Sequence, residues 1–146
     1  FTVAHSITLA LSTLGHLTLP APPVETLIAL SILLVAVEAI HLRRGQPSLA
    51  TRWPWVIAFA FGLLHGFGFA GALAEIGMPP GDVPLALLFF NVGVELGQLA
   101  FFATIALILW LYRLRWTVPR QAPVGVAYVI GSVSAFWVFE RIKGFW

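Results

Sequence analysis

The run "PLALLFFNVGVELGQLAFFATIALILWLY", residues 84–112, contains one carboxylate, Glu95, and two carboxamides, Asn91 and Gln98, in an otherwise strongly apolar stretch. Roughly 20 apolar residues span a hydrocarbon core, so this segment can cross a membrane with length to spare for tilt or a break at Gly93 or Gly97. The rest of the chain has the same character. Its 146 residues are 60% hydrophobic and only 10% charged, with a mean hydropathy of +0.95. A soluble domain carries about 25% charged residues, so this chain cannot coat its own surface with polar groups. The lipid bilayer is therefore its expected partner and solvent. The net charge of +2 comes without the aromatic-basic interleaving that would point to nucleic acid. The absence of cysteine excludes disulfides, thiolate metal sites and thiol nucleophiles together.

Interruptions by Pro, Gly and Arg divide the chain into apolar segments at about 1–18, 24–42, 54–77, 84–112 and 123–143. Backbone polar groups in lipid must pair within their own segment, and no stretch shows the alternation of a barrel strand, so each segment reads as a helix. The expected fold is all-α: one polytopic membrane helix bundle, 1–146, with about five transmembrane helices and short loops. The chain opens in mid-pattern at "FTVAHS", without Met, basic flank or cap. Nothing there resembles the charged start of a signal peptide. This predicts further sequence upstream, with room for one more helix.

Charge gives an orientation. Arg43, Arg44 and Arg52 flank the second loop, and Arg113, Arg115 and Arg120 the fourth, whereas the alternate loops hold Glu25, Glu75 and Asp82. The positive-inside rule assigns 43–52 and 113–120 to the cytoplasm and the C-terminus to the periplasm, in an integral protein of the bacterial inner membrane. Trp53, Trp55, Trp110 and Trp116 sit beside those arginines as an interfacial belt. Arg141 and Lys143 fall on the other side, two basic residues against six.

At 1.5 Å per residue, His65 and Glu95 each lie roughly 16 Å into their helices and His5 roughly 18 Å from the outer end of its own, so all three approach one central slab. Asn91, Glu95 and Gln98 follow i, i+4, i+7 spacing and share a helix face. An ionised carboxylate at that depth costs on the order of 3 kcal/mol unless it meets a polar interior, a partner or a proton. His5 and His65 are the natural partners, and Ser6, Asn91 and Gln98 the supporting polar groups. Gly62, Gly66, Gly68 and Gly71 in "GLLHGFGFAG", with Gly93 and Gly97 in "GVELG", would let these helices approach closely and bring His65 towards Glu95. Glu38 and His41 form an E-x-x-H pair, a spacing found in di-iron bundles. Their proximity to Arg43 and Arg44 favours a solvated or salt-bridged helix end instead. His16 is expected at the outer surface, solvated.

Imidazole with carboxylate suits borderline divalent ions, nickel, cobalt or zinc, and affinity does not choose among them. Two His and one Glu also form a catalytic-zinc ligand type. There is, however, no H-E-x-x-H, G-x-S-x-G or P-loop, so the sequence does not point to an enzyme.

"FTVAHSITL" (1–9), "FGLLHGFGFA" (61–70), "FNVGVELGQLAF" (90–101) and "YVIGSVSAFWVFERI" (128–142) together resemble the membrane domain of the HupE/UreJ family, in order and over nearly the whole chain. The resemblance implies a nickel or cobalt permease, or a metal-handling accessory protein of hydrogenase or urease clusters. It also implies an earlier helix with a His-and-Asp-rich "HxxxGxDH" type motif. On this reading His5, His65 and Glu95 are the metal-ligand candidates, with Glu38 and His41 as weaker ones. Two alternatives are a non-catalytic structural subunit of a larger membrane complex, its polar groups serving packing, and an intramembrane metal-dependent hydrolase using His5, Ser6 and Glu95.

Overall fold

The computed structural model describes residues 1–76 and 82–145, and among them it is entirely helical: α1 (Thr2–Thr13), α2 (Ala21–Arg43), α3 (Leu49–Arg52), α4 (Pro54–Ile76), α5 (Val83–Arg113) and α6 (Ala122–Lys143). Four helices are long and apolar enough to cross a membrane, α2, α5 and α6 over their full length and α4 over Pro54–Gly71. The molecule is an all-α membrane helix bundle. The expected turn at 78–81 and the side chain of Glu75 lie outside the described residues.

Two boundaries show how local chemistry sets the elements. The first segment was expected to run to residue 18, but α1 ends at Thr13. Gly15 adopts φ 75°, its N–H donates to the Ser12 carbonyl, and the His16 N–H donates to Leu11. That is a Schellman cap, which favours glycine because a Cβ is disfavoured at positive φ. At 12 residues, α1 is about 18 Å long, short of the hydrocarbon thickness. The same cap closes α2: Gly45 has φ 69°, its N–H donates to Leu42 and that of Gln46 to His41. Helices α2, α5 and α6 begin with Pro in the first turn, where a missing N–H costs nothing.

In space the helices follow the order α6, α2, α4, α1, α5. Helices α2 and α6 run antiparallel: Arg44 Nη2 donates to the Tyr128 hydroxyl at one end, and Arg141 pairs with Glu25 at 3.1 Å at the other. The loops bearing Arg43–Arg52 and Arg113–Arg120 therefore share one end of the bundle, as the charge pattern predicted. Arg141, the apparent exception, has a carboxylate partner of its own.

The α4 glycines act differently from expectation. A Cβ on Gly62 or Gly66 would collide with α1, and one on Gly68 with the Ile28 side chain of α2, whereas one on Gly93 or Gly97 would have nothing among the described residues within 4 Å. At about 3.6 residues per turn these two lie on the far side of α5 from Asn91. The glycines thus bring α1, not α5, against α4.

Candidate functional site

The centre of the bundle is built where α1 crosses α4 beside the first turns of α5. Gly66 lets the backbone of α1 lie against α4, which carries His5 to the level of His65. His5 is 1% exposed. Its ring stacks on Phe1, with centroids 5.9 Å apart, and meets the edge geometry of Phe69 at 5.3 Å. Phe1 also contacts His65 edge-on at 5.6 Å, so one phenyl ring touches both imidazoles.

The hydrogen bonds assign the His5 tautomer. Asn91 Nδ2 donates to the Leu87 carbonyl at 2.8 Å, which fixes the amide and turns Oδ1 towards α1. His5 Nδ1 lies 3.2 Å from that Oδ1. An amide oxygen only accepts, so Nδ1 carries the proton and Nε2 keeps its lone pair. Nε2 is buried and has no hydrogen-bond partner among the described residues. The Ser6 hydroxyl is 2.8 Å from both Asn91 Oδ1 and the Thr2 carbonyl, with one hydrogen for the two. His65 is held from the other side: Ser31 Oγ is 2.7 Å from the Ile28 carbonyl and 3.2 Å from His65 Nε2. The hydroxyl gives its hydrogen to the nearer carbonyl and accepts from Nε2–H, which leaves the lone pair of His65 on Nδ1.

The structure therefore brings together His5, Ser6 and Asn91, and sets His65 beside them across Phe1. Glu95 lies one turn beyond Asn91 towards the arginine-bearing end of α5 and is exposed, as are Gln98 and every residue from there to Arg113. Among the described residues no three His, Cys, Asp or Glu side chains are grouped to hold a metal ion. Ser31 and Phe1 belong to the site without having been singled out in the sequence. A lone hydroxyl at mid-depth in "IALSILL" was the available signal for Ser31.

The E-x-x-H pair has another role. Glu38 is buried rather than solvated, and no arginine pairs with it among the described residues. Its Oε2 accepts from the Ser48 hydroxyl and from the Ala50 N–H, the latter at 2.8 Å. The carboxylate thus caps the start of α3, where unpaired N–H groups and the helix dipole favour negative charge. His41, one turn on, is half-buried at the end of α2, and His16 is exposed as expected.

No curated protein and no solved structure matches the chain. The family model described as HupE / UreJ protein matches residues 1–141. That span takes in α1 with His5, α4 with His65, α5 with Asn91 and Glu95, and nearly all of α6. The chain belongs to the HupE/UreJ family.

Proposed function

We propose that this protein handles a borderline divalent ion, nickel or cobalt, within the membrane, as a permease or as an accessory to metalloenzyme maturation. In this reading His5 and His65 are imidazole ligands, and Glu95 is the carboxylate that completes the set when the cation is bound. The observation that supports it most is the buried Nε2 lone pair of His5, unpartnered among the described residues, with Nδ1 already tied to Asn91. Metal-binding histidines are commonly oriented in this way, the second nitrogen donating to a fixed oxygen. Donor type alone admits zinc as well. The arginine-bearing end is cytoplasmic and the C-terminus periplasmic, in the bacterial inner membrane.

The test is nickel binding to the purified full-length chain, alongside cellular nickel uptake. Glu95→Gln, which keeps shape and hydrogen bonding but removes the charge, is expected to insert normally and lose both. His65→Ala should behave alike. Asn91→Leu, which releases the His5 ring, should weaken binding by about 10- to 100-fold. A well-expressed Glu95→Gln protein with normal nickel handling would refute the assignment. It would favour a second reading, a structural subunit of a larger assembly. That reading is supported by the exposed length of α5 from Glu95 to Arg113.

A further inference from the structure

Between the C-terminal end of α1, the start of α2 and the second half of α4 lies a cavity of about 520 Å³. It opens at the end of the bundle opposite the arginine-bearing loops, on the side where α2 begins. Its polar lining comes from Ser12, Thr13, Thr18 and Glu25. Glu25 is the single charged residue among the described lining residues. Glu25 also borders a second, smaller space of about 230 Å³, and Arg141 lines only that one. The guanidinium therefore approaches the carboxylate from the α6 side, and the larger cavity sees the negative end of the pair. Thr13, on the wall, has a buried hydroxyl with no hydrogen-bond partner among the described residues. Buried hydroxyls are normally satisfied, so a polar occupant such as water is expected beside it.

The floor has the opposite character. Ala70 and Leu73 line the cavity and also pack with Leu9 and Leu87 into the buried apolar cluster. Leu9 is 0% exposed and stands one helical turn, about 6 Å, from His5 along α1. A single apolar layer thus separates a polar, acid-bearing cavity from the two imidazoles.

We propose that this cavity is a vestibule that admits hydrated cations from the end of the bundle opposite the arginine-bearing loops, with Glu25 setting its preference for positive charge and the Leu9 layer closing it from the histidine site. Its link to the ion that reaches His5 and His65 rests on the metal-handling reading above. Water access and charge preference do not. A carboxylate in a cavity with low-dielectric walls concentrates cations, and its field is stronger there than in open solvent.

The chain contains no cysteine, so a single introduced thiol reports its own surroundings. Gly71 borders the cavity and has nothing among the described residues within 4 Å of an added Cβ, and Ser12 on the facing wall differs from cysteine by one atom. In the purified full-length protein, Gly71→Cys and Ser12→Cys are treated with a cationic and an anionic methanethiosulfonate reagent. Gly97→Cys on the outer face of α5 serves as the membrane-facing control. The expected result is fast modification at both cavity positions and slow modification at 97. The cationic-to-anionic rate ratio, normalised to a free thiol, should fall several-fold when Glu25→Gln is added. Cavity thiols as slow as the control, or a ratio unmoved by Glu25→Gln, would overturn the vestibule. These rates need no nickel, so a chain that reacts as expected but neither binds nor takes up nickel refutes the metal-handling reading alone. In a chain that does transport, Gly71→Phe, which fills open space, should abolish most uptake. Unchanged uptake would show that the cavity is not the route.

Discussion

Replacing Gly66 with alanine tests the contact on which the central site depends. A Cβ at residue 66 would overlap Thr8 Oγ1 and the His5 carbonyl oxygen, and would stand 3.0 Å from the Leu9 nitrogen. Two of these three atoms are backbone, so no rotamer change relieves the clash and α1 must shift off α4 by on the order of 1 Å to restore ordinary contact. Overpacking of this kind costs about 1–3 kcal/mol, here towards the upper end because the obstacle is main chain. For a chain of this length each kcal/mol lowers the melting temperature by roughly 3 °C, which gives a loss of about 5–10 °C. Gly71→Ala and Gly97→Ala are the controls: neither added methyl meets anything among the described residues within 4 Å, and alanine gains up to about 1 kcal/mol over glycine inside a helix. The assay is thermal unfolding of the three purified variants in one detergent. Gly66→Ala should melt well below the other two, and because α1 moves, the His5–Asn91 hydrogen bond should weaken with it. A Gly66→Ala protein that melts together with Gly71→Ala would refute the reasoning.

Ser48→Ala removes the hydroxyl that donates to the Glu38 carboxylate beside the start of α3, and loss of a hydrogen bond to a charged group costs about 1.5–3 kcal/mol. Limited proteolysis of the segment between Arg44 and Trp53 should accelerate, and unchanged cleavage would deny the cap its role. Single cysteines at Gln46, Asp82 and Gln121 should divide by side of the membrane, with 46 and 121 labelled together and 82 from the opposite face. Labelling of 46 and 121 from opposite sides would overturn the antiparallel order of α2 and α6, and labelling of 82 together with them would deny that α4 crosses the membrane.

Much of the architecture was legible in the residues because lipid imposes few choices. Long apolar segments bounded by Arg, Pro and Gly must be helices, and α2, α5 and α6 begin and end close to where composition shifts. The first segment was misjudged because "TLGHLTLP" stays fairly apolar past Thr13, while the helix is stopped by a backbone cap at Gly15 that hydropathy does not register. Arg141 looked like an exception to the charge rule until Glu25, more than a hundred residues away in sequence, was found beside it.

The sequence alone therefore established the membrane setting, the all-α class, the approximate place of the four long helices and the common end of the arginine-bearing loops. These follow from length, composition and charge counted along one chain. Tertiary structure decided which groups meet. A helix that is apolar on every side presents no face from which its neighbour can be read, so the approach of α1 to α4, rather than of α5, had to come from three-dimensional packing. The same holds for the His5–Asn91 bond that leaves a lone pair on Nε2, for the Ser31 hydroxyl that holds His65, and for Glu38, which caps α3. Hydrogen bonds act over about 3 Å, and residues that lie 86 apart in the chain, as His5 and Asn91 do, are brought within that reach only by the crossing of helices.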